Sequence, residues 1–191
     1  LSKHQLDLIL SDDGLQHFAL ARDLEWVVVD AVRGFGNEKL LPEGYLREPL
    51  SRLQEVTVIE HHHEPKTQLH MHLKAGQPFC LGDMHRKFDY KAHYHAVVGI
   101  GYPQRFFNTL MQAHIDHEPH VFADHHQYVF NDLQHLFNGQ IITTAKDAVK
   151  LQELFAHEPD YLQRIWVLPV QAELSDSCYT LLHQQLKTLN L

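Results

Sequence analysis

Short runs of almost continuous apolar residues recur along this chain with helical stretches between them, and that alternation restricts the fold more than any other feature. Residues 6–11 and 25–30, the second carrying Trp26 and Val27 to Val29, read as strands buried on both faces, the pattern of a parallel sheet. Residues 55–60 form a third. Past a polar break at 61–66, Leu69, Met71 and Leu73 alternate with His70, His72 and Lys74, the period of a half-exposed strand, and another such strand is expected over 77–84. Strands follow at 95–100, 120–122, 140–143 and 165–170. Helices are expected from Pro103 to about 113, from an Asn131 N-cap to 137, from 146 to about 155, and from 175 to about 188. Such alternation builds a parallel α/β sheet.

Composition narrows the partners. The chain has 191 residues, 44% hydrophobic and 21% charged, which is enough for one domain or one and a half. Its formal net charge of -8 gives a nucleic-acid partner no electrostatic support, so no nucleic acid is expected. No apolar run approaches the roughly 20 residues needed to span a bilayer. The two cysteines, Cys80 and Cys178, lack metal-ligand spacing and suit a reducing cytoplasm. The chain opens on Leu1 and enters strand-like sequence within a few residues, so it is expected to be a piece of a longer protein, itself soluble.

Several strand ends carry residues with chemical potential. Asp12 and Asp13, followed by Gly14, sit where nucleotide-using α/β folds place a magnesium-holding carboxylate, and equally where an Asp-Asp-Gly turn would cap a helix. Asp124-His125-His126 follows a strand. An Asp beside a His can fix its tautomer, while an N-cap with surface histidines, or a pair of metal-ligating histidines, fits the same residues. In Thr143-Thr144-Ala145-Lys146-Asp147, Lys146 opens a helix and suits an anion, or Asp147 simply counters the helix dipole. Gly99-Ile100-Gly101 is a glycine pair between strand and helix, weak alone. The loop over 32–53 contains Gly34, Gly36, Pro42, Gly44 and Pro49, and ordered loops of this length are usually functional. In it Arg47 can clamp a phosphate, or it forms a solvated pair with Glu48. His61 to His63 read as a solvated linker.

Taken in order, these segments resemble one family, the tetraacyldisaccharide 4'-kinases. The resemblance is carried by Asp12-Asp13-Gly14-Leu15-Gln16-His17, Asp30, Gly34-Phe35-Gly36-Asn37, and Leu40-Leu41-Pro42-x-Gly44-x-Leu46-Arg47-Glu48-Pro49-Leu50. It continues through 99–107, Phe122 to His126, 146–150 and Leu168-Pro169-Val170, and so covers essentially the whole chain. It departs at Ala145, where the family has Glu, and at Tyr102, where the family has Asn.

The resemblance implies part of a P-loop kinase-like parallel sheet over 1–60, a two-stranded linker or hinge over 61–90, and a smaller C-terminal α/β lobe over 91–191. It implies transfer of the γ-phosphoryl of ATP, with Mg²⁺, to the 4'-hydroxyl of a lipid A disaccharide 1-phosphate at the cytoplasmic face of the bacterial inner membrane. Asp12 and Asp13 fall on the family's paired acids, for Mg²⁺ and active-site organisation. His125, beside Asp124, falls on the active-site histidine. Arg47, Glu48, Gln16, His17 and Lys146 fall on positions expected to hold phosphates or sugar. No Gly-x-x-x-x-Gly-Lys-[Ser/Thr] stretch occurs in the 191 residues. The phosphate cradle, and a family segment that meets the membrane surface, are therefore expected to lie outside this chain, and the chain alone is expected to be inactive. A non-catalytic nucleotide- or lipid-binding module and a histidine-rich metal-binding protein are the rival readings.

Overall fold

The computed structural model describes residues 6–62 and 66–189. In chain order its strands are β1 (Trp26–Asp30), β2 (Thr57–His61), β3 (His70–Ala75), β4 (Phe79–Cys80), β5 (Tyr94–Val98), β6 (His117–Val121), β7 (Gln140–Thr144), β8 (Ile165–Leu168) and β9 (Val170–Leu174). Its helices are α1 (Pro103–Gln112), α2 (Phe130–Leu133), α3 (Ala145–Leu154), α4 (Pro159–Leu162) and α5 (Asp176–Thr188). The chain divides into two compact units, Leu1–Leu73 with Ala172–Leu191, and Lys74–Gln171.

The first unit contains most of a four-stranded sheet of order β1-β2-β3-β9, with β1, β2 and β3 parallel. Ile59, Met71 and Cys178 form its buried centre, flanked by Trp26, Leu69, Leu73 and Leu174. Ser175 caps α5 by accepting the Cys178 N–H, and Trp26 Nε1 donates to Gln185 Oε1 at 2.9 Å, which fastens β1 to that helix. Such a cap is worth about 1 kcal/mol.

Residues 6–11 are not the buried strand expected from their composition. Leu6, Leu8, Ile9 and Leu10 are exposed, Leu10 to 86%, and the segment joins no ladder among the described residues. An apolar run reads as a buried strand whatever lies beside it, but it becomes one only where neighbouring strands take up its backbone groups. Asp12 and Asp13 consequently stand on a turn and not at a strand end. The polar break at 61–66 falls partly on residues outside those described, His63 included.

The second unit is a doubly covered sheet of order β4-β8-β7-β5-β6, parallel except for β4. Period-two alternation sorts its two faces. Tyr94, Ala96, Val98, Ile142, Trp166 and Leu168 face a layer built on Phe106, Phe107 and Leu110 of α1. Val97, Ile141 and Ile165 face the opposite layer of Leu133, Leu136, Leu151 and Phe155. Each fully buried side chain of this size contributes about 1.5–3 kcal/mol. Pro103 starts α1. The helix ends with His114 at φ 55 and an Ile115 N–H to Leu110 carbonyl bond of 3.0 Å, a left-handed C-terminal cap.

The strand expected over 77–84 is only the two residues of β4, Phe79–Cys80, and three further boundaries differ from expectation. β6 begins at His117 and not 120: its His-Glu-Pro-His composition hides a strand that pairs on one side only, where Pro119 costs no ladder bond. The helix expected from an Asn131 N-cap starts at Phe130 with Val129 as N-cap, because the Asp132 carboxylate accepts the Val129 N–H at 3.0 Å and so closes the turn two residues earlier. The run 165–170 is two strands, β8 and β9, broken at Pro169.

Candidate functional site

The first unit holds the Asp-Asp-Gly turn and the long loop against each other. Asp30 ends β1, and its Oδ1 accepts the N–H groups of Val32 and Arg33 at 3.0 and 3.1 Å, turning the chain into the loop. Asn37 then braces the loop from inside, donating Nδ2 to the Glu43 carbonyl at 2.9 Å and accepting the Lys39 N–H at 3.2 Å. Gly44 is required there: a Cβ would stand 2.2 Å from Asn37 Oδ1 and 2.3 Å from the Lys39 carbonyl oxygen. Leu46 N–H donates to that same carbonyl, so Arg47 leaves the loop in a fixed direction.

Arg47 reaches Asp13, with Nη2 2.7 Å from Oδ1 and Nη1 3.4 Å from Oδ2. Both side chains stay largely exposed, and the guanidinium, through its hydrogen bonds and its charge, holds the Asp13 carboxyl below the usual carboxylate range. Asp13 adopts φ 48, a left-handed conformation that Asp tolerates better than most residues. Glu48 turns the other way. Its Oε1 accepts Gln16 Nε2 at 2.7 Å, and its Oε2 faces Arg52 Nε at 3.5 Å. Gln16 Oε1 is buried without a hydrogen-bond partner among the described residues.

Behind these residues lies a charged chain that sequence reading missed. Arg52 pairs with Glu25, Glu25 with Arg22, and Arg22 Nη1 donates to the carbonyls of Gly14 (2.9 Å) and His17 (3.0 Å). Arg52 foremost, and Arg22 after it, hold the Glu25 carboxyl low against the opposing effect of partial burial. These three charges lie at unremarkable sequence positions and have no motif spacing, so only coordinates reveal them. His17 takes part through its carbonyl.

In the second unit the expected residues gather beyond the carboxyl ends of β5, β6 and β7, the edge where open α/β sheets bind ligands. Thr144 caps α3 by accepting the Asp147 N–H at 3.1 Å while donating its hydroxyl to Asp147 Oδ2 at 3.0 Å. This sets Lys146 in the first helical turn, where its Nζ lies 3.3 Å from Asp124 Oδ1. Asp124 also accepts the His125 N–H at 3.0 Å, and its Oδ2 would lie 3.1 Å from a Cβ at Gly101. Partial burial pushes the Asp124 carboxyl up, but Lys146 and His125 outweigh it and leave it below the ordinary range.

The two adjacent histidines differ sharply. His126 is tied down: its Nε2 lies 2.9 Å from Asp132 Oδ2 and its ring stacks on Phe122. His125 sits at φ 60, with 76% of its side chain exposed, and its Nε2 is 3.8 Å from Asp124 Oδ2. That separation permits charge attraction but is too long for the tautomer-fixing hydrogen bond expected of an Asp-His pair.

A sheet doubly covered by helices, with acids, a lysine and glycine turns beyond its parallel strand ends, defines an α/β protein, and the fold is of the P-loop kinase type. The family model for LpxK, tetraacyldisaccharide-1-P 4'-kinase, matches residues 1–187, and the chain belongs to that family. The tetraacyldisaccharide 4'-kinase of Psychrobacter cryohalolentis is 43% identical over 220 residues, covering 97% of this chain and 59% of that protein. Its counterpart in Pseudomonas fluorescens (strain Pf-5) is 42% identical over 196 residues, covering 99% and 56%. The crystal structure of "apo" form LpxK from Aquifex aeolicus in complex with ATP aligns with a TM-score of 0.64 at 22% identity, over 92% of this chain and 55% of that one. The chain thus spans somewhat more than half the length of these relatives.

Proposed function

We propose that this chain is part of a kinase that moves the γ-phosphoryl of ATP to the 4'-hydroxyl of tetraacyldisaccharide 1-phosphate, giving lipid IVA, at the cytoplasmic face of the inner membrane. The observation that carries this reading is the family match over residues 1–187. Among the described residues no helix is long and apolar enough to cross a membrane.

Asp12 and Asp13 are exposed carboxylates on one turn, the hard donors that Mg²⁺ prefers, and they fit that ion once Asp13 yields part of its contact with Arg47. Bound there, Mg²⁺ would neutralise charge on the transferring phosphoryl group. Arg47 orients the Asp13 carboxylate and offers a fork to phosphate oxygens. Gln16 and Glu48 form a hydrogen-bonded pair suited to sugar or phosphate groups, with the His17 backbone beside them. In the second unit His125, free of tight partners, takes the proton of the attacking hydroxyl. Asp124 steadies the resulting imidazolium, and Lys146 offsets the carboxylate and attracts anionic substrate.

The 191 residues contain no phosphate-cradling Gly-rich lysine loop. In this reading they turn over little ATP alone, because phosphoryl transfer depends on positioning and charge neutralisation. The test is ATP-dependent phosphorylation of the disaccharide lipid by residues 1–191 beside the full-length parent. Activity in the parent alone is the expected result. Robust turnover by the shorter chain would overturn the requirement for the missing loop, and none in either would overturn the kinase reading.

A further inference from the structure

Away from the strand ends, β5 and the one-sided strand β6 carry a cluster that phosphoryl transfer does not use. The parallel register sets His95 beside Glu118 and Val97 beside His120, so His95, Glu118 and His120 share one face of the sheet. His95 Nδ1 lies 3.1 Å from His120 Nε2 and 3.3 Å from Glu118 Oε2, and His120 Nε2 lies 3.8 Å from the same oxygen. An ion held tetrahedrally at about 2.0–2.1 Å spaces its ligand atoms about 3.3–3.4 Å apart, so this triangle has the size of one face of such a site. Nitrogen and carboxylate donors in this number suit zinc-class ions better than magnesium.

The surroundings favour ligation. His93, whose ligand atom lies within 4.8 Å of those of His95 and Glu118, has its Nδ1 engaged by Asp116 Oδ2 at 2.9 Å. That leaves Nε2 for an ion, in the carboxylate–histidine–metal arrangement common around bound zinc. Gly139 makes room for the His95 ring: a Cβ there would come within 3.1 Å of His95 Nε2. His95 and His120 are mostly covered, while Glu118 and His93 are exposed, so the cluster opens to solvent on one side.

The geometry points to a binding site for a divalent transition ion of the zinc class, held by His95, His120 and Glu118 with His93 at its open side. The site pins β6 to β5 and lies on the strands themselves, not on the loops that carry Asp124, His125 and Lys146.

The test is calorimetric titration of the 191-residue protein, prepared untagged and without nickel resin, with zinc chloride. A parallel titration with Co²⁺ reads the visible absorption of tetrahedral coordination. One saturable equivalent is expected. His95→Ala and His120→Ala should each weaken binding by at least about tenfold to a hundredfold, the loss known for mere outer-shell partners. His183→Ala, an exposed histidine on α5, should leave it unchanged. Glu118→Gln, at an exposed and structurally tolerant position, should weaken binding and alter the Co²⁺ spectrum even if the histidine variants fold poorly. No stoichiometric binding, or wild-type affinity in Glu118→Gln, overturns the site.

Discussion

The buried carboxylate of Asp147 accepts the backbone N–H of Gly99 at 3.0 Å, joining the start of α3 to the glycine turn after β5 across 48 positions of sequence. The same side chain receives Lys150 Nζ at 3.1 Å and the Thr144 hydroxyl. The motif Lys146-Asp147 therefore divides its labour: Lys146 faces the candidate site, and Asp147 holds the site's floor in place.

Replacing Asp147 with Ala leaves an ammonium and a backbone N–H unpaired in a buried setting, which costs about 3–5 kcal/mol. Denaturant unfolding should show that loss. A change under about 1 kcal/mol would mean that the contacts at Gly99 and Lys150 contribute nothing net.

The neighbouring histidines should separate cleanly in the full-length parent. His125→Ala lowers turnover by about a hundredfold or more, the usual worth of a general base, with little change in melting temperature. His126→Ala breaks the Asp132 contact and lowers stability by about 1 kcal/mol, with the smaller effect on turnover. Equal kinetic losses, or the reverse order, would refute the assignment.

Gly44→Ala is expected to disrupt the loop out of proportion to its size, because its Cβ meets the Lys39 backbone at 2.3 Å and backbone cannot swing aside. A cost of about 1–3 kcal/mol follows from overpacking. Loss of parent activity at wild-type expression is the expected readout, and unchanged kinetics would show that the loop does not orient Arg47.

Acid should weaken the first unit through Glu25. Its folded pKa lies below the ordinary 4.5, chiefly because of Arg52. Its stabilising contribution is therefore complete above about 4.5 and lost as pH falls through the lower folded value, since the unfolded chain takes up the proton first. Glu25→Gln should be less stable at neutral pH and show a shallower acid limb. Parallel stability–pH curves for both proteins would remove Glu25 from this role.

The parallel core is legible because buried strands such as β8 form unbroken apolar runs, β5 and β7 carry buried apolar cores at Ala96 to Val98 and Ile141-Ile142, and Pro103 and Ser175 sit where helix starts need them. The run at 6–11 has the same composition and no ladder, which composition does not reveal. β6 was misplaced for the opposite reason, since a strand paired on one side tolerates His, Glu and Pro. Lys146 and Asp124 are 22 residues apart yet in contact, because both lie past the carboxyl ends of the parallel strands β7 and β6, which flank β5. The Arg22–Glu25–Arg52 chain has no such rule behind it, because ion pairs between loops follow from how the loops pack.

Arg22 grips the carbonyls of Gly14, at the end of the Asp-Asp-Gly turn, and of His17 just beyond it, and touches neither aspartate side chain. The posture of the turn is thereby held without the Asp12 side chain, while Asp13 is also bound to the loop through Arg47. Exchanging the Asp12 carboxylate for an amide alters what the turn can bind while its carbonyls stay moored, so a kinetic loss at position 12 can be read as chemistry and not as collapse, whereas one at position 13 also carries the loss of the Arg47 pair.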